Sequence, residues 1–594
     1  MPKFKPWSVR NHSLPLPGAR RFWAALLLVF SLAGSRPPAA AARPTDLAYP
    51  ILFVTQVPLA ADFTSIGSTF GNQQGSLQSV PRGGDLWIRY PDGTLKNLTS
   101  AAGYGGSGLL LGTAGIAVRD PAVYWDGSKA LFSMVVGAPS QRYQVQTYTW
   151  QIYEISGLGL LDTPVITKLA HQPAGYNNIS PLYGSDDRVI FTSDRPRNGQ
   201  AHLYPQRDEY ELAPTNSGLW SLDPVGGDLR LLNHAPSGDF TPSIDSYGRL
   251  IFTQWDHLQR DQEADADEAA TTPGENCYYG NPVGQLPFGT FNYTDESAGA
   301  VAQMSVRTEV FPEPRGCRED LLGGTNLAGH SFNQFFPWQI NQDGTGSEVL
   351  NHLGRHELAG YIPAALTDDN NLEDYYGQTA RFNTNRIDNM LQLKEDPLHP
   401  GTYYAVDAPE FYTHAAGQVI SLTAPPGLDA DHIAIHYVTH RDTSSTTYTG
   451  NHSGHYREPV PLSDGSLIAV HTPETDYEGG SGFASTYDFR LKFLTLGGNG
   501  YWAAGTALTG GIAKTVSYWD PDTLVSFSGN LWELNPVEVR ARTRPPLTPE
   551  TLLPPEQQML SQANVLLGDL KSYLVQHNLA LLVSRNVTTR DDFD

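Results

Sequence analysis

Cysteine is nearly absent from this 594-residue chain, which carries only Cys277 and Cys317. Two thiols exclude a four-cysteine zinc site, and no C-x-x-C-H run exists to attach a haem covalently. In an oxidising compartment an isolated pair is most simply a disulfide, closing a loop of about 40 residues and worth roughly 4 kcal/mol by loop entropy. Two buried free thiols are the alternative reading. Charge is also scarce, at 17% of residues, and the formal net charge is −23. Nothing there would neutralise phosphates, so nucleic acid is excluded as a partner. G-x-S-x-G, P-loop and Rossmann glycine patterns are missing too, which leaves nucleophilic and nucleotide chemistry without visible carriers.

Long apolar runs are confined to the first residues. Lys3, Lys5, Arg10, Arg20 and Arg21 precede the stretch from Phe22 to Ala33, and the small residues Ala39 to Ala42 follow. A basic region, a short apolar core and an A-x-A-type site describe a secretory signal peptide over residues 1–42. The alternative is an uncleaved anchor. No later segment reaches ~18 apolar residues, so the reading places no membrane contact beyond this one and a periplasmic or secreted location.

What the chain has in quantity is Gly (57), Pro (44), Tyr (29) and Trp (11), with 40% hydrophobic residues. That mixture favours many short strands joined by turns. A pattern repeats: Asp120-Pro-Ala-Val-Tyr-Trp-Asp-Gly-Ser-Lys-Ala-Leu-Phe-Ser; Ile179-Ser-Pro-Leu-Tyr with Asp187-Arg-Val-Ile-Phe-Thr-Ser; Phe240-Thr-Pro-Ser-Ile with Tyr247-Gly-Arg-Leu-Ile-Phe-Thr; and Arg457-Glu-Pro-Val-Pro-Leu-Ser-Asp-Gly-Ser-Leu-Ile-Ala-Val. Each copy reads as a short strand opened by proline, a tight turn, and a strand with every second side chain buried. A second hairpin follows most copies, as in Gly84-Asp-Leu-Trp-Ile-Arg-Tyr-Pro-Asp-Gly-Thr-Leu-Lys-Asn-Leu-Thr.

Four strands per unit predict an all-β fold, a β-propeller over residues 43–545. Blades are expected near 51–98, 116–169, 176–232, 238–350, 380–423, 453–496 and 512–540. The incomplete first and last combine into one, giving six blades, with seven as the alternative. Residues 256–330 read as an insertion holding both cysteines. Residues 546–594 form a helical extension opened by Pro554 and Pro555, with Met559, Ala563, Leu566, Leu567, Leu570 and Leu574 at helical spacing and a strand-like run at Leu579 to Val583. It is expected to dock on the propeller or to begin a further domain.

The Pro…Asp-Gly-Ser…Leu-Phe-Ser units resemble the TolB-type propeller repeat. The order of segments, with Tyr456-Arg-Glu-Pro-Val-Pro-Leu-Ser-Asp-Gly followed by Pro536-Val-Glu-Val-Arg-Ala-Arg, is similar to the middle domain of the hydrazine synthase alpha subunit and its bacterial relatives. The resemblance implies an extracytoplasmic six-bladed propeller. It carries over the scaffold alone, because the haem-attachment motifs of that enzyme are absent here.

Inner strands of a propeller begin around a central channel. That geometry assigns Arg119, Asp120, Asn177, Asn178, Asp239, Arg457 and Glu458 to its mouth, where they either bind a small polar ligand or ion or bond neighbouring blades. His432, His436 and His440 are evenly spaced, as on one strand face. His440 with His452 or His455, and Asp442, offers a divalent metal site; surface histidines are the plainer reading. The acidic run Asp261-Gln-Glu-Ala-Asp-Ala-Asp-Glu lacks the glycine and terminal glutamate of a calcium loop, and reads as solvated. The expected function is a binding or scaffolding module for a periplasmic or extracellular protein or small ligand. The alternative is a redox subunit dependent on a metal or on a haem-bearing partner.

Overall fold

The computed structural model describes residues 47–60, 73–195, 217–257, 333–354, 385–478, 485–548 and 552–581, apart from 234, 236, 237 and 410, together with Leu358 and Val583. The described strands form six four-stranded antiparallel sheets and one separate hairpin. Their inner strands are Trp532–Glu538 in blade 1, Ile116–Val123 in blade 2, Asn178–Tyr183 in blade 3, Asp239–Ile244 in blade 4, Leu391–Glu395 in blade 5 and His455–Pro461 in blade 6. The chain is therefore a six-bladed β-propeller.

Blade 1 closes the ring. Its inner strand comes from the far end of the chain and pairs antiparallel with Ile51–Gln56, from Ile51 opposite Glu538 to Gln56 opposite Trp532. Closure hides two sheet edges that would otherwise be exposed. Apolar faces of neighbouring sheets stack between blades: Ile468, Val470, Phe489 and Leu491 of blade 6 share one cluster with Phe53, Leu86 and Trp532 of blade 1.

The repeated proline lies inside the inner strand rather than at its opening. Pro121, Pro181, Pro242, Pro459 and Pro536 each fall where the register with the second strand shifts. An inner strand has one edge turned to the channel, so a missing N–H there costs no ladder bond. The turns match the sequence. Gly127 (φ +80°) closes the Asp126-Gly127 turn, and Asp126 accepts the Ser128 N–H at 2.8 Å.

Three expectations are revised. The last blade-like segment, 512–540, divides into a separate hairpin (Ala513–Asp520 with Thr523–Asn530) and the closing strand. Helices do form at Pro554–Gln562 and Leu567–Gln576, but they bury no residue: Met559 is 65% exposed and Val575 83%. The docked part of the extension is the segment before them. The Arg542 guanidinium lies 4.4 Å from the Trp125 ring centroid, Arg544 pairs with Asp187, and the chain at Pro546 passes so close to Gly248 that a Cβ there would meet its carbonyl at 1.9 Å. The stretch Leu579–Leu581 is not a strand.

The insertion expected at 256–330 joins the second and third strands of blade 4, which remain paired out to His257 opposite Asn333. Cys277 and Cys317, the acidic run and the segment 1–42 expected to be a signal peptide lie outside the described residues.

Candidate functional site

All six inner strands carry the same distortion. Asp120, Ser180, Thr241, Gln392, Glu458 and Asn535 stand at the bulges with φ between +47° and +59°. A left-handed backbone at a non-glycine residue costs on the order of 1–2 kcal/mol. It re-aims each side chain, and all six line one central cavity of about 100 Å³.

The bulge residues are linked around the ring. Glu458 donates its N–H to Gln392 Oε1 at 2.7 Å. Asn535 donates its N–H to Glu458 Oε2 and its Nδ2 to Glu458 Oε1, the latter at 2.9 Å. Asp120 donates its N–H to Asn535 Oδ1 at 3.1 Å, and the Ser180 hydroxyl donates to Asp120 Oδ2 at 2.8 Å. Among the described residues, no side-chain bond joins Ser180 to Thr241 or Thr241 to Gln392. One arc is thus a bonded polar chain and the other offers hydroxyls.

Blades 2 and 6 flank the seam with matching pairs. Arg119 Nε meets Asp120 Oδ2 at 2.7 Å, with its guanidinium 5.7 Å from the Trp150 ring centroid. Arg457 Nη2 meets Glu458 Oε1 at 2.6 Å, with its guanidinium 5.6 Å from Phe489, and Nη1 donates to the His414 carbonyl. Each aromatic ring stands just before the third strand of its own blade, so the repeat places it there. Lys394 completes the charged lining. Burial lowers its pKa, and nearby Asp120 and Glu458 oppose that shift.

Four residues assigned to the mouth from sequence are therefore brought together: Arg119, Asp120, Arg457 and Glu458. Asn178 and Asp239 fall two residues short of the bulges of their blades. Fully buried Asn178 donates to the Pro173 carbonyl at 2.8 Å and accepts from Ser193 Oγ; Asp239 accepts from Asn233 Nδ2 at 3.1 Å. These residues tie neighbouring blades together: Asp239 bonds Asn233 and Ser217 of blade 3, the Asn178 N–H donates to the Trp150 carbonyl of blade 2, and Asn177, besides bonding Asp194, accepts the Trp150 N–H. Ser180, Thr241 and Asn535 were legible as the residues immediately preceding a repeat proline. Gln392 and Lys394 had no such signal, because Leu393 stands where the other blades have proline.

The histidines take other positions. His436 lies on a three-residue strand, whereas His432 and His440 flank it in separate turns, so the three do not share a strand face. His452 Nε2 and His455 Nε2 converge on one atom, the Ser445 carbonyl, at 2.9 and 3.0 Å. A carbonyl only accepts, so both nitrogens carry protons and turn no lone pair outward. His440 Nδ1 accepts the Asp442 N–H, and its ring packs on Tyr501. Among the described residues, no group of three His, Cys, Asp or Glu side chains is placed to hold a metal ion. Buried His455 has its pKa pushed down to about 4, and desolvation is the main cause.

A closed ring of blades around a central cavity defines this chain as a β-propeller of six blades. No family model matches it, and no curated protein does. Similar solved structures include Kuenenia stuttgartiensis hydrazine synthase, at 14% identity and TM-score 0.43, covering 84% of this chain and 48% of that one. They also include TolB from Acinetobacter baumannii, at 10% identity and TM-score 0.29 (77% and 66% covered), and puromycin hydrolase, at 10% and 0.31 (80% and 50%). This chain spans about half the length of the hydrazine synthase chain it overlaps. Overlaps this loose carry no functional inference.

Proposed function

We propose that this chain is an exported binding propeller whose central cavity receives a small polar ligand in the periplasm or outside the cell. One observation carries the reading. Six backbone distortions, each unfavourable in isolation, turn six polar side chains into one cavity. Strain repeated at every blade and directed at one space is the mark of a built site. Kinship with the hydrazine synthase alpha subunit middle domain rests on the repeat motifs, and export rests on the N-terminal sequence. The fixed Nε2 protons of His452 and His455 give a metal-dependent redox role no support.

Thermal denaturation of the full chain against a panel of small neutral, cationic and anionic solutes tests this. At least one class should raise Tm saturably, and filling the cavity with Leu182→Trp should abolish the rise. No shift with any class, or an equal shift in the variant, contradicts the reading.

A further inference from the structure

The charges around the cavity do not balance. Arg119, Lys394 and Arg457 supply three cations against the two carboxylates of Asp120 and Glu458. Both carboxylates are already engaged by their neighbouring arginines and by ring hydrogen bonds. The Lys394 side chain makes no hydrogen bond or ion pair with any described residue. It stands two residues beyond its bulge, level with Leu182, Val460 and Val537, which lie two beyond theirs and line the same cavity. The residue is half-buried and lines the cavity. A cation lodged among apolar walls, near Asp120 and Glu458 but paired directly with neither, favours a further counter-charge.

We propose that the cavity binds a short-chain monocarboxylate, with its carboxylate on Lys394; this rests on the channel reading above. The sign follows from the excess cation, and it argues against a bound metal cation despite the oxygen-rich ring. The valence follows from the count: one anionic charge neutralises one lysine, whereas a dianion such as phosphate would leave negative charge buried without a partner. The size follows from the volume, about 100 Å³, against roughly 150 Å³ for a cavity that holds benzene. Leu182, Phe240 and Leu391 suit a hydrocarbon tail of a few carbons, and Ser180 and Thr241 line the same space.

Isothermal titration of the full chain in chloride buffer tests this with butyrate, its uncharged isostere butyramide, and inorganic phosphate. Butyrate should bind once per chain and lose on the order of tenfold or more in affinity in Lys394→Met, as expected for a charged hydrogen bond. Lys394→Arg, which keeps the charge, should bind measurably. Butyramide binding as tightly as butyrate, phosphate binding more tightly, unchanged affinity in Lys394→Met, or no butyrate heat at all would overturn the carboxylate assignment while leaving a channel ligand of another class in place. Butyrate binding that survives Leu182→Trp would instead overturn the channel as the site.

Discussion

Asn535 Oδ1 accepts the backbone N–H of Asp120 at 3.1 Å, joining the last strand of the propeller to the first complete blade across 415 residues of sequence. The same side chain donates to Glu458 on its other flank. One asparagine thus ties blades 6, 1 and 2 at the seam where the ring closes. Its left-handed φ of +50° is what lets it reach both.

Replacing Asn535 should therefore cost stability in two separable parts. Asn535→Ala loses the hydrogen bonds and leaves a Cβ residue in a left-handed backbone, for about 2–4 kcal/mol. Asn535→Gly loses the same bonds without the strain and should cost roughly half as much. Urea denaturation of the two variants checks the order; Gly falling below Ala would contradict it.

Buried histidine sets part of the acid sensitivity. With its folded pKa near 4 and an ordinary value of 6.5, His455 supports the fold fully above pH 6.5. That support fades as pH falls toward 4, because the unfolded chain takes up the proton first. The span corresponds to roughly 3 kcal/mol at most. Asp194 and Asp407, raised to about 6 by burial, act in the opposite sense between pH 3.8 and 6 and partly mask it in the wild-type profile. His455→Gln keeps a donor for the Ser445 carbonyl but does not titrate. Between pH 7 and pH 4 wild type should lose more stability than this variant; parallel curves would contradict the assignment.

The two C-terminal helices bury nothing, so the propeller should not need them. Ending the chain at Thr548 keeps Arg542 on Trp125 and Arg544 on Asp187. Its urea midpoint should match the full chain, with a difference within about 0.5 kcal/mol. A loss of several kcal/mol would mean that the helices pack.

The scaffold was legible because its signals are local. Strand alternation, Asp126-Gly127 and the proline of each repeat are short-range choices that the fold reuses blade after blade. The ring was half legible for the same reason. Asp120 and Glu458 precede a proline, which marks them in the sequence. Asn178 and Asp239 open their strands two residues before the bulge; strand alternation alone points to them, and only the following proline marks Ser180 and Thr241 instead. Lys394 was invisible. What singles it out is that the nearby carboxylates, Asp120 and Glu458, are each paired with an arginine instead, a relation among blades hundreds of residues apart. The extension misled in a different way: apolar spacing at Met559, Leu566 and Leu570 promises a face but does not name what covers it.

Everything at the cavity depends on Trp532–Glu538 pairing with Ile51–Gln56. Cysteines placed at the facing positions Ile51 and Glu538, with Cys277 and Cys317 changed to Ser, report that pairing through oxidative cross-linking followed by non-reducing electrophoresis. A near-quantitative intramolecular disulfide is the expected result. Failure to cross-link in the folded protein, alongside ready cross-linking of a pair within one blade such as Ala130 with Ile155, would mean that the ring is open and no central cavity exists.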